Sequence, residues 1–563
     1  MADEKHNNTV RASSDTKSGD VATVPAQQVT MSKDEYHLAS LGYKQTFKRG
    51  LGMIENWAAT FTTMNFVNGI PIFFGWIMTT GGPQGALANW AMVGGLSFFV
   101  SLSMAEIAAS LPTCGGIYFW SYKLGGPEWG PFLAWMTAWW NWAGWLTVIP
   151  GFTQGNTNFL LAALQIMYPD NDLWGKAWFG WILSSLAIIV CTIPNIASEK
   201  ILKVMLRTTI ISFGILMCFY WIYFPIKASG HFQPASILTT FYNGINEGSG
   251  AQASNAYCWV IGVLYGAWDF YGYDAATHLA EETKDAQIVV ARGMWLGTLC
   301  TWLLSVPTLI LILFCMPSLE NIINGSYANN WAVYLVELLG PKGAVAFLAF
   351  AYLDGLLGAM VCILSTQRIT YAIARDDILP FSGIFKQVDS RTKLPVNAAL
   401  LCAVLSIAIN AAVIGSEVAF GALTATATIA TNVSYLIPIL ARQTVGRKYF
   451  EPAKWNLGRF SPVAATIACL YICFLFVVLL LPQVFPVTAV RVLIVLLTRL
   501  EAADTSQETL NYAPIMIAAV TIISLVGWVL PFGVGGRYWF QGPKRTISDA
   551  EWKEAIISDD ASS

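Results

Sequence analysis

The chain of 563 residues is 55% hydrophobic and only 12% charged, with a formal net charge of −2. Soluble globular proteins carry about 25% charged residues, so this composition excludes a surface that mostly faces water. The missing basic surplus argues against nucleic acid as a partner. The ten Cys, mostly inside apolar runs and without zinc-ligand spacing, read as small core residues.

In chain order, residues 1–42 are polar and have no apolar h-region, which predicts a disordered cytosolic tail and no cleavable signal peptide. A helix needs about 20 apolar residues to cross about 30 Å of hydrocarbon. Twelve segments qualify: 51–79, 84–108, 131–166, 177–195, 205–226, 257–280, 292–316, 332–366, 396–414, 417–441, 461–482 and 512–534. They predict an all-α, multi-pass integral membrane domain over 43–535, embedded in a lipid bilayer. A second cytosolic tail follows at 536–563. The 23 Trp suit a chain with two membrane–water boundaries.

Lys and Arg placement orients the spans. With both termini cytosolic, the inner flanks and loops hold 22 of them, and the outer loops hold only Lys176, Lys227, Lys342, Arg491 and Arg499. The Asn324-Gly-Ser326 glycosylation sequon falls in an outer loop, whereas Asn7-Asn8-Thr9 faces the cytosol.

Spans 1 and 6 are not ordinary. Span 1 carries Glu55, Asn56, Asn65 and Asn68, with Pro71 late in the run. Span 6 carries Asp269 and Asp274, with Gly266 and Gly272 among aromatics. Backbone freed by a helix break must be satisfied by protein or by a water-filled cavity, not by lipid. Two interrupted spans five apart predict an inverted repeat of five plus five helices, followed by two C-terminal helices. A solute would sit at the breaks, near the midplane. Close helix packing through glycine is the alternative.

Ionisable groups inside spans are costly and usually have a task. Glu55, Glu106, Asp269, Asp274 and Asp354 qualify. Asp269 is the candidate partner of a substrate ammonium or the proton relay. Glu106 suits a cap or ion pair near the inner end of span 2, or a coupling role. His278, one turn past Asp274, is a candidate proton relay or a packing residue. Trp57, Phe61, Trp268, Phe270, Tyr271 and Tyr273 lie near the expected breaks, and an aromatic face attracts a desolvated ammonium. Half-helix N-termini at the span 1 break suit a carboxylate. No nucleotide-binding, metalloprotease or other enzyme motif is present, so no cofactor or metal is expected and an ion or solute gradient must drive any flux.

Four segments resemble the amino acid–polyamine–organocation superfamily: LASLGYKQTFKRGL from Leu38, EIAASLPTCGGIYFW from Glu106, YGYDAATHLAEETK from Tyr271 and RITYAIARDDILP from Arg368. They are closest to its fungal amino acid/choline branch, which includes GABA permeases and choline transporters. The resemblance covers about residues 38–535. It implies alternating access and proton-coupled uptake of an amino acid, GABA, choline or a related amine. It implies substrate contacts from Asn56, Trp57, Ala58, Thr60 and Phe61 of span 1 and from Trp268, Asp269, Phe270, Gly272 and Asp274 of span 6. Glu55 departs from the glycine-rich opening usual in that superfamily, and suits either a cationic solute or a cytosol-side gate pair with an inner Lys or Arg. The plasma membrane is the expected location, with the vacuolar membrane as alternative. A channel or a nutrient-sensing transceptor are the competing classes.

One segment departs from the family pattern. Val490–Gln507 stands where FPVTA would run directly into ETLNYAP. Its eighteen residues contain no stop and fit a retained short intron; an outer-face amphipathic helix is the alternative. Transcript sequencing across the junction is expected to return spliced reads lacking the insert. Uniformly unspliced reads would refute the intron.

Overall fold

The protein is described from a computed structural model, over residues 32–246, 253–415, 419–482, 511–531 and 533–548. The Val490–Gln507 insert lies outside these residues. Among them the secondary structure is helical, with one isolated bridge joining Leu51 to Thr283.

All twelve predicted spans are present. Spans 1 to 4 are Met53–Thr63 with Phe66–Ile72 and Phe74–Thr80, then Gly82–Ser110, the latter part of Ile117–Met167, and Ala177–Ala197. Spans 5 to 8 are Lys200–Lys227, Asn255–Ile261 with Val263–Ala267 and Ala275–His278, Ala286–Phe314, and Trp331–Arg375. Spans 9 to 12 are Val396–Gly415, Ala419–Gln443, Gly458–Leu479 and Ala513–Val529. Eight of them are long and apolar enough singly to cross a membrane. Spans 1 and 6 fall short because each is broken, span 12 has 17 residues, and span 3, within the long helix Ile117–Met167, is not among the eight.

The break in span 1 is at Met64 and Asn65, whose ψ angles of 52° and 71° leave the helical well. Thr62 and Thr63 prepare it: their hydroxyls donate to the carbonyls of Ala58 and Ala59, offering the backbone an alternative to the next turn. The break in span 6 runs from Trp268 to Asp274, and Gly272 sits at φ 80°, a conformation open chiefly to glycine. The sequence reading placed the span 1 contacts at Asn56–Thr62. The unwound residues lie just beyond that stretch, and Asn56–Thr62 is regular helix.

The repeat shows in the packing. Span 1 lies against span 7 as span 6 lies against span 2. Span 3 lies against spans 9 and 10 as span 8 lies against spans 4 and 5. Exchanging each span for its counterpart five positions away converts each of these contacts into its partner. The helix kinks repeat as well. The helices of spans 3 and 8 each kink at a Gly-Pro pair, Gly126-Pro127 and Gly340-Pro341, with φ of 67° and 77° at the glycines. The leading helix has the same length in both, from Ile117 to Gly126 and from Trp331 to Gly340. Span 5 carries a π-helical turn at Phe219–Tyr223, next to span 1.

Both described chain ends meet on one face, here the tail face; the opposite is the far face. The expected tail boundary at 42/43 falls inside ordered chain: Lys33–Ser40 is a helix with a Ser32/Glu35 capping box, and Leu38 and Ala39 are buried. Residues 536–548, expected to be tail, cross the same face with Phe540 and Ile547 buried.

Candidate substrate site

The two breaks lie side by side. A Cβ on Gly272 would collide with the Thr63 side chain, the last helical residue before the span 1 break, so glycine lets the span 6 break approach span 1 this closely. Neighbouring side chains satisfy the freed backbone. Tyr435 of span 10 accepts from the Gly272 amide at 3.2 Å, and Thr60 donates to the Tyr273 carbonyl at 3.4 Å. Tyr220 donates to the Val67 carbonyl at 2.7 Å, and Tyr265 to the Ile70 carbonyl at 3.3 Å. Asn56 binds the Thr283 hydroxyl at 3.0 Å and the Ala276 carbonyl at 3.4 Å, pairing the tail-side halves of spans 1 and 6.

Asp269 and Asp274 have opposite surroundings. The Asp269 carboxylate lies against Gly69 of span 1, where a Cβ would collide with it. Its Oδ2 is buried and has no hydrogen-bond partner among the described residues. An anionic oxygen left unpaired in a dry site is strongly unfavourable, which marks a place for a donor or a proton. Asp274 has no such vacancy. Its Oδ1 accepts from Tyr435 at 2.6 Å, and its Oδ2 accepts from Trp145 at 2.9 Å and Asn141 at 3.4 Å. His278 Nε2 lies 3.0 Å from the same Oδ2, with both residues buried, and His278 Nδ1 lies 3.3 Å from the Cys114 carbonyl. This network ties the span 6 break to the loop between spans 2 and 3.

Asp354, ambiguous in the sequence, clamps the other break. Its Oδ2 accepts from Asn65 at 2.7 Å and from Asn68 at 2.8 Å. Trp268 forms part of an aromatic layer on the far side of the breaks, 5.9 Å from Phe73, which stacks on Phe420 at 5.2 Å. Phe73 and Phe420 were not singled out in the sequence, because nothing local distinguishes them from packing aromatics. Phe270 turns instead toward span 2, edge-on to Trp90 at 5.4 Å. Trp57 stacks on Phe61 at 4.5 Å, and Phe61 packs edge-on to Phe66 and Phe213. Ala58 is fully buried in the same helix.

On the tail side the closure is thick and charged. Arg368 pairs with Glu282 at 2.7 Å, both buried, and its guanidinium lies 5.1 Å from the Phe47 ring. Arg375 pairs with Glu281 at 3.4 Å and lies 4.1 Å from the Tyr43 ring. Glu281 also accepts from the Cys114 amide at 3.1 Å, and Asp376 accepts from Tyr118 at 2.6 Å. The four segments that carry the family resemblance therefore converge on one plug. Removing one partner of such a buried pair costs about 3–5 kcal/mol, because it strands the other charge. Glu55 pairs with Arg207 of span 5 at 2.6 Å and accepts from the Gly52 amide at 3.0 Å. Glu106 accepts from Ser461 at 2.5 Å and from the Leu457 amide at 3.2 Å, fastening span 2 to the start of span 11. Asn324, the glycosylation candidate, is exposed on the far face between spans 7 and 8.

Paired broken helices inside an inverted repeat, with a charged plug on one side and an aromatic layer on the other, define a membrane transporter. An amino acid permease family model matches residues 54–500, and the chain belongs to that family. Similar proteins include amino-acid permease BAT1 of Arabidopsis thaliana, 29% identical over 94% of this chain and 99% of that protein. Thiamine transporter thi9 of Schizosaccharomyces pombe is 26% identical over 93% and 89%. The GABA-specific permease of Saccharomyces cerevisiae is 24% identical over 97% and 91%. These are permeases, not enzymes.

Two substitutions separate the acids. Asp269→Asn is expected to abolish or sharply reduce uptake while surface expression stays normal; near-normal transport would remove Asp269 from the site. Glu106→Gln is expected to keep uptake and to lower stability by about 1–3 kcal/mol, through the lost charge-assisted bonds to Ser461 and Leu457. Thermal unfolding of the purified protein measures this, and loss of transport at unchanged stability would give Glu106 a coupling role.

Proposed function

We propose that the protein is a secondary active importer of amino acids or related amines such as GABA or choline, working by alternating access and coupled to protons. The observation that carries this reading is the buried, unpartnered Oδ2 of Asp269 between the two breaks. A cationic nitrogen is the shared chemistry that such an oxygen would recognise. Amino acids and GABA carry an ammonium and thiamine a cationic ring, so the substrates named among the relatives are consistent with it; choline, with its quaternary nitrogen, has the same charge. A quaternary nitrogen has no N–H to give, and would rely on charge and on the nearby rings of Trp268 and Phe73. For a zwitterion, the carboxylate would meet the positive end of Phe66–Ile72 beyond the span 1 break.

In the proposed cycle, the tail face is cytosolic and the aromatic layer is the outer gate. The solute enters past Trp268 and Phe73, pairs with Asp269 and draws spans 1 and 6 together. Asp274 and His278 carry the coupling proton, because they connect the break to the Cys114 loop of the plug and one proton shared between them alters both. Glu55 and Arg207 hold the cytosolic end of span 1 until the plug opens.

Competition uptake in cells lacking their own permeases tests this reading. GABA, choline, polyamines and neutral amino acids are offered against a labelled substrate at several external pH values. Uptake is expected to rise as external pH falls, because the inward proton gradient grows, and His278→Gln is expected to flatten that rise. Uptake independent of pH in the unaltered protein would remove proton coupling from the proposal.

A further inference from the structure

The C-terminal strap, residues 536–548, bonds to two separate parts of the tail-face plug. On one side it holds the segment that leads into span 1. The Thr546 amide donates to the Gly42 carbonyl at 2.9 Å, the Lys44 amide donates to the Thr546 hydroxyl at 2.9 Å, and the Ile547 amide reaches the same Gly42 carbonyl at 3.4 Å. On the other side it holds the end of span 8. The Lys544 amide donates to Asp376 Oδ1 at 3.0 Å, and the Lys544 ammonium pairs with Asp377. The strap is anchored upstream by Phe540, buried 5.7 Å from the Trp135 ring of span 3, and by Gly542, where a Cβ would collide with the Tyr122 ring.

These attachment points are not incidental to the gate. Gly42 and Lys44 flank Tyr43, whose ring carries the Arg375 guanidinium. Asp376 follows Arg375 directly and shares its carboxylate between Tyr118 and the strap. The lead-in to span 1 is continuous in the chain with the tail-side half of that span. The end of span 8 belongs to the body formed with spans 3, 4 and 9. Any opening of the tail face must part these two segments, and the strap bridges them with bonds outside the plug itself.

We propose that the strap is a latch on the tail-face gate, with Lys544 and Thr546 as positioning residues for the transport cycle: the gate opens only after the strap lets go of either Gly42–Lys44 or Asp376–Asp377. This rests on the alternating access proposed above. The latch slows release toward the tail face and leaves the substrate contacts at the breaks untouched. An ammonium–carboxylate pair at an exposed edge also makes it weaken with salt.

Cys114 offers a native reporter. It is buried in the plug, next to Glu281 and His278. The rate at which a thiol reagent labels Cys114 in the purified full chain, read by peptide mass spectrometry, measures opening without any assumption about the substrate. Thr546→Ala and Lys544→Ala are each expected to speed labelling several-fold, and the pair about tenfold, from the loss of two side-chain contacts, the Thr546 hydroxyl with the Lys44 amide and the Lys544 ammonium with Asp377. Lys544→Arg should stay near the unaltered rate. Uptake by the double variant is expected to show a raised maximal rate at unchanged KM. Labelling unchanged in a double variant that remains monodisperse and folded overturns the latch. Faster labelling that comes with global unfolding, and that Lys544→Arg shares, overturns it as well. A protein that takes up no substrate in any form, yet still shows faster labelling, keeps the latch and loses the transport reading instead.

Discussion

Two helices of this protein are broken inside the membrane, and almost every functional feature follows from how those breaks are satisfied. Lipid offers no hydrogen bonds, so each freed amide and carbonyl needs a protein partner or a wet cavity. Tyr435, Thr60, Tyr220 and Tyr265 supply partners from four different spans. The breaks are therefore the points where spans 1, 5, 6 and 10 are coupled. Moving one of these spans changes the bonds of the others.

The same constraint sorts the buried acids. Asp354 receives two amide donors from span 1 and holds its break in shape. Asp274 receives four polar contacts and is complete as it stands. Asp269 alone of the three keeps a buried oxygen without a partner among the described residues. Three carboxylates of equal intrinsic character thus differ only in how many donors the fold aims at them.

The two faces are closed by unlike means. Toward the far face lie the packed rings of Trp268, Phe73 and Phe420. Toward the tail face lie two buried ion pairs, cation–ring contacts and the strap. A ring contact strands no charge when it parts, whereas removing one partner of a buried ion pair leaves the other charge unpaired.

Hydrophobic run length and the sparing use of charge were enough to read twelve spans, because a bilayer leaves few alternatives to an apolar helix of sufficient length. Asn, Gly and Asp clusters marked spans 1 and 6 as broken for the same reason: they are out of place in lipid. Glu55 called for a basic partner, and Arg207 answers it from 152 positions away. The pairing itself was not legible, since contacts between distant spans leave no local trace. Neither was the difference between Asp269 and Asp274, which share one short segment and differ only in what spans 1, 3 and 10 bring to them. Phe270 looked suited to the site by position, but its backbone turns it onto Trp90. The strap looked like one more polar tail, because its affinity lies in backbone bonds to Gly42 and a carboxylate at Asp376 that composition does not reveal. The sequence by itself determined the membrane fold, its breaks and its repeat, all consequences of single segments meeting lipid. Which acid keeps an unpaired oxygen, which rings pack together beyond the breaks and what the C-terminal strap bonds to depend on tertiary structure, because separate spans bring those donors and surfaces together.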